Sequence, residues 1–228
     1  FKEDHIYKVY GSIPSNFEVM GSATLGVAKG CGGSLAIAGE RLLYLSTSGV
    51  MIYSGGIPQS LHDAFGMTRL RGGRAGSDGL KYYLSAQDEA GEWKLYVYDT
   101  RKGMWHTEDK THATHFCRYQ GNTYFLTAEG EIALTGNILD APEGCTDEGD
   151  FSWFAETGDF TEKGSSQSTS YDSVKKGIAK LWVRIEVAAG AEAKVLMQFD
   201  SDGKWVQAGQ TLKPERKRSY YLPIVPRR

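Results

Sequence analysis

Apolar residues recur along this chain as pairs of short runs separated by polar glycine turns. Leu43-Tyr44-Leu45-Ser46 leads through Gly49 to Val50-Met51-Ile52-Tyr53. Tyr82-Tyr83-Leu84-Ser85 leads through Gly91 to Leu95-Tyr96-Val97-Tyr98, and Tyr124-Phe125-Leu126-Thr127 leads through Gly130 to Ile132-Ala133-Leu134. Each unit predicts an aromatic-rich strand, a tight turn and a second apolar strand. The spacings from Leu45 to Leu84 and from Leu84 to Leu126 are 39 and 42 residues. A hairpin period of roughly 40–50 residues predicts β-propeller blades.

Further elements fill the first part of the chain. His5–Tyr10 alternates and predicts a strand, as does Lys94–Asp99, which turns at Thr100–Gly103 into Met104-Trp105. Asp78-Gly79 and Glu89–Glu92 are hairpin-turn signals. Pro58–Phe65 predicts a short helix, with proline at its start and Leu61 and Phe65 on one face at i, i+4. The glycines of Gly30–Gly33 permit tight turns. A phosphate-cradling loop would need a following Gly-Lys-Ser/Thr and a helix, and neither follows.

The repeat stops at Asp140–Asp150, an acidic, turn-rich segment. Residues 1–140 therefore read as propeller-like blades, 141–150 as a linker and 151–228 as a second domain. Phe151–Phe160 reads as an aromatic strand and Thr161–Ser173 as a polar loop. In Ile178–Ala188 the pattern turns Leu181, Val183, Ile185 and Val187 inward and Lys180, Trp182, Arg184 and Glu186 outward. An Asp200–Gly203 turn joins Lys194–Phe199 to Trp205-Val206. The fold class expected is all-β: kelch-like blades followed by a β-sandwich. Three repeats do not close a ring of four to eight blades and leave sheet edges open. The start at Phe1 and the end at Pro226-Arg227-Arg228 read as cuts in a longer sequence.

Composition sharpens this picture. The 28 glycines and 13 tyrosines among 228 residues favour a turn-rich β protein. Net charge is −2, but it is uneven: residues 1–150 carry 13 basic and 19 acidic side chains, and 151–228 carry 13 and 9. Bulk charge thus gives no sign of nucleic-acid binding. Three scattered cysteines, Cys31, Cys117 and Cys145, form no disulfide framework. No apolar run is long enough to span a membrane.

Candidate chemistry is sparse. Asp88-x-x-Gly91-x-Trp93 and Asp200-x-Asp202-Gly203-x-Trp205 resemble the aspartate-box turns of sialidase-like propellers, which are structural turns capped by an Asp side chain. No carboxylate pair at glycosidase spacing accompanies them. Tyr98-Asp99 followed by Trp105 resembles the end of a kelch blade. His112, His115 and Cys117, with His106 nearby, lack a recognised zinc spacing, and Cys117 reads as a small core residue. No nucleophile elbow or His-Glu-x-x-His is present. No catalytic, metal or cofactor residues are assigned. The exposed bases Arg101, Lys102, Arg216 and Arg218 are candidate contacts. The basic C-terminal stretch beside Tyr220 and Tyr221 leaves nucleic-acid contact as a lesser reading.

His5–Gly11, Leu43–Gly56, Lys94–Trp105 and Gly121–Ile132 resemble propeller-bearing virion proteins of tailed phages and prophages, in the style of the packaged-DNA stabilisation, head-closure and tail proteins. Trp153–Phe160, Met197–Trp205 and Tyr220–Arg228 are similar to the sandwich that follows the propeller in such proteins. The resemblance implies a non-enzymatic virion component without cofactors. It would dock to portal or tail proteins, and to copies of itself, without membrane contact. The alternative is a carbohydrate-binding or sialidase-like propeller acting in receptor recognition.

Overall fold

Aromatic and β-branched residues at alternating positions, punctuated by glycine turns, favour extended chain and leave no segment long enough to nucleate a stable helix. The computed structural model of the chain is accordingly all-β, with only three-to-four-residue 3₁₀ turns among the described residues. It describes residues 1–136, 152–157, 180–199, 202–214 and 219–223. The chain divides into two compact units, 1–151 and 152–228.

In the first unit, β1 (His5–Tyr10) and β2 (Glu18–Ala23) form an antiparallel ribbon, sheet A. Sheet B is a four-stranded meander of β3 (Ala36–Ala38), β4 (Arg41–Ser46), β5 (Gly49–Tyr53) and β6 (Gln59–Ser60). Sheet C repeats it with β7 (Arg71–Ser77), β8 (Lys81–Gln87), β9 (Trp93–Asp99) and β10 (Met104–Thr107). Sheet D contains β11 (Ala113–Tyr119), β12 (Asn122–Thr127) and β13 (Ile132–Thr135). The three repeated hairpins of the sequence are β4–β5, β8–β9 and β12–β13. None of the sheets closes on itself.

Alternation sends each strand's side chains to two faces, and successive sheets pack face on face. Tyr44 and Tyr53 point toward sheet A, where the Phe1 ring meets both edge-on at 5.2 and 5.7 Å. The opposite face of sheet B carries Leu43, Leu45, Val50 and Ile52 into a core shared with Tyr82, Leu84, Tyr96 and Tyr98 of sheet C. The other face of sheet C buries Tyr83, Leu95 and Val97 against Phe116 of sheet D. The Trp105 indole lies against Phe65 and its cross-strand partner Tyr98, and its Nε1–H donates to the Leu61 carbonyl, 3.1 Å. The Asp88 turn has its expected form: the carboxylate accepts from the Glu92 N–H, 3.0 Å, and Trp93 stacks flat on His112 at 3.6 Å.

The helix expected over Pro58–Phe65 does not form. Gln59–Ser60 join the sheet as β6, the Leu61 N–H donates to Val50, and only His62–Phe65 curl into a 3₁₀ turn ended by Gly66 at φ 59°. Sheet hydrogen bonds outcompete a helix this short. Leu61 and Phe65 still share the core-facing side.

In the second unit, β14 (Lys180–Arg184) pairs with β17 (Ser219–Pro223), and β15 (Leu196–Met197) pairs with β16 (Val206–Gln207). Leu212, Tyr220 and Leu222 form its core, with Leu181, Val183, Ile185 and Val187 packed on it as the alternation predicts. The Asp202 carboxylate accepts from the Lys204 N–H, 2.9 Å, and Trp205 remains half exposed. The linker 141–150, the serine-rich loop, Cys145, Arg216 and Arg218 lie outside the described residues.

Candidate interaction surfaces

The connections of sheets B, C and D place their turns at two ends. At one end Gly39 N–H donates to Gly79 O, 2.8 Å, and Thr100 N–H to Leu80 O, 3.1 Å. Thr123 Oγ1 donates to Ser77 O at the same end. Arg41, Lys81, Arg101, Lys102 and Arg118 gather there. Two of the nearby carboxylates are turned inward. Asp78 accepts from the N–H groups of Leu80 and Lys81, and Asp99 from those of Arg101 and Lys102. The Asp99 carboxyl is held below its ordinary pKa by the Lys102 N–H bond, partly opposed by burial, with help from the Arg101 N–H. Arg101 and Lys102 are exposed, and a cavity of about 370 Å³ opens between them, Lys81, His106 and the Trp105 ring. The opposite end carries Asp88, Glu89, Glu92, Asp109, Glu129 and Glu131 in or beside its turns, two of them paired with Lys94 and Lys110. There Asp88 is also held low, first by its 2.7 Å bond from Lys94, then by the Glu92 N–H.

Among the described residues of the first unit, nothing packs on the two outermost sheet faces. On sheet A, Tyr7, Val9 and Val19 share the face turned away from sheet B and are 43, 60 and 64% exposed. Only Ile6 of the ribbon is buried. On sheet D, register puts His115, Leu126 and Ile132 together, and Cys117, Tyr124 and Leu134 together, on the face turned away from sheet C. Ile132 is 77% exposed there. Cys117 is exposed as well, against the expectation of a core residue, because among the described residues of the first unit no sheet covers this side. A two-stranded ribbon with apolar residues on both faces is marginal in water unless something packs on it.

Sequence reasoning singled out Arg101 and Lys102, which lie in the exposed β9–β10 turn, but missed these faces. The available signal was apolar side chains at both odd and even positions of His5–Tyr10, the mark of a strand meant for cover on both sides.

The histidines have structural neighbours. His112 lies on Trp93, His106 Nε2 sits 3.4 Å from Glu108, and His62 Nε2–H donates to Thr68 O, 2.7 Å. Among the described residues no three His, Cys, Asp or Glu side chains converge as metal ligands. The Gly30–Ser34 loop enters a 3₁₀ turn whose open side is filled by Arg74, with its guanidinium donating to the Gly30 and Gly73 carbonyls at 2.8 and 3.0 Å. Burial pushes the Tyr44 phenol up to about 12, and it donates to Leu25 O, 2.7 Å. Among the described residues no helix is long and apolar enough to cross a membrane. Comparisons with protein-family models, curated proteins and solved structures find no match to this chain.

Proposed function

We propose that this chain is a non-enzymatic structural protein of the tailed-phage virion type, acting by docking. Its first unit is a set of propeller blades and its second a β-sandwich. The observation that carries the reading is the pair of uncovered apolar faces at the two ends of the sheet array. Inside the array, the Leu45 face of sheet B packs on the Gly73 face of sheet C, and the Gly76 face of sheet C on Phe116 of sheet D. The Ile132 face of sheet D and the Val9–Val19 face of sheet A are the next members of that series. Each is completed by the other in a second copy. Two copies joined head to tail supply eight sheets, within the range that closes a ring.

The basic turns around Arg101 and Lys102 then present two identical cationic loops to portal or tail partners, so weak contacts add through bivalency. Sedimentation of the Val9→Lys, Val19→Lys double variant tests the reading. Both side chains are exposed, so the fold is retained while association is lost. Unchanged association would remove these faces from the account. Charge reversal at Arg101 and Lys102 should weaken docking to partner proteins and leave self-association intact.

A further inference from the structure

The second unit carries a surface that its own core does not use. Register sets Trp182 opposite Tyr221, Lys180 opposite Pro223 and Arg184 opposite Ser219, all on the outward face of the β14–β17 ribbon. The intervening Leu181, Val183, Tyr220 and Leu222 serve the core instead. Trp182 is 72% exposed and Tyr221 43%. Their rings lie 5.3 Å apart with planes at 80°, and Lys180 Nζ lies 5.2 Å from the Tyr221 ring centre. A groove of about 310 Å³ opens along β17, lined by the core-side Tyr220 and Leu222 as well as by Tyr221, with Gln210 on its wall.

We propose that this face binds single-stranded nucleic acid, with Trp182 and Tyr221 stacking on bases and Lys180 and Arg184 contacting phosphates. Every base has a π-face, so an exposed aromatic pair accepts a strand of any sequence. The two cations stand two residues either side of Trp182, about 7 Å each way at the rise of a strand. This cation–aromatic–cation order suits a chain that alternates phosphate and base, whereas a neutral sugar uses the rings and leaves the cations idle. Residues 151–228 also hold the chain's surplus of positive charge, 13 basic against 9 acidic side chains. Gln210 offers an amide donor and acceptor for a base edge in the groove.

The test is fluorescence anisotropy of a labelled twelve-nucleotide oligo(dT) titrated with the whole chain at low salt. A duplex of equal length and heparin serve as competitors. The oligo(dT) should bind, with the duplex competing poorly. Trp182→Ala should weaken binding about tenfold or more, the loss of one stacked base. Lys180→Gln should flatten the slope of log affinity against log salt by about 0.7, one released counterion on a single strand. Thermal unfolding should not change in either variant, because both side chains lie outside the core. No binding by the folded wild-type chain overturns the proposal. So does binding that heparin matches and Trp182→Ala leaves unchanged, which marks bare attraction to any polyanion, an acidic glycan included.

Discussion

Phe116 occupies the space that a side chain on Gly76 would need. A Cβ built on Gly76 falls within 3.0 Å of the Cβ, Cγ and Cδ1 atoms of Phe116. Strand β7 reads Arg-Gly-Gly-Arg-Ala-Gly-Ser, a poor strand by propensity, and its glycines let the neighbouring sheets come this close. Gly73 does the same on the other side, beneath Leu45 and Leu84. Flexibility in the unfolded chain is the cost of tight sheet-on-sheet packing.

Gly76→Ala should therefore destabilise the first unit by about 1–3 kcal/mol through overpacking alone, measured by urea unfolding. Adding Phe116→Gly, which removes the Cβ as well as the ring, should remove the collision, so the double variant should be more stable than the sum of the two single losses. Strict additivity would mean that the two residues do not press on each other.

Trp105→Phe keeps most of the ring packing but removes the indole N–H. The Leu61 carbonyl then loses its donor in a half-buried site, at a cost of about 1–3 kcal/mol. A thermal-unfolding midpoint equal to that of the wild type would show that water replaces the donor.

Asp88 and Asp99 tie the stability of the first unit to pH. Both folded-state values lie below the ordinary 3.8. A depressed carboxylate contributes its full stability above the unfolded value, and the contribution is lost as pH falls from about 3.8 through the lower folded value. Asp88→Asn and Asp99→Asn should each lower stability at neutral pH. Their stability curves should meet that of the wild type in strong acid. Curves that stay parallel down to pH 2 would show that these carboxylates titrate alike in both states.

Legibility in the sequence followed the physics of each element. The β4–β5, β8–β9 and β12–β13 hairpins were visible because alternation and glycine turns act locally. So was the inward row Leu181, Val183, Ile185 and Val187. Strand β7 was hidden, since its reason for being a strand is the Phe116 and Leu45 side chains that meet it from other sheets. Strand β6 was hidden inside a helical pattern, where pairing of Gln59 and Ser60 with Ile52 and Met51, continued by the Leu61 bond to Val50, decided the outcome. Cys117 was misplaced for the same kind of reason. Its strand was correct, but which face would be covered depends on how the sheets stack. Arg101 and Lys102 were legible as exposed turn residues, whereas the Trp182–Tyr221 pair needed the β14–β17 register.

The outer faces of sheets A and D, bare among the described residues, are the proposed surfaces for association between copies. The most direct measurement is the solution mass of the unmodified chain by light scattering across a range of concentrations. A discrete dimer of the 25.1 kDa chain, reduced to single copies by Val9→Lys with Val19→Lys, is the predicted result. A stable monomer at every concentration would show that the two faces need no partner copy.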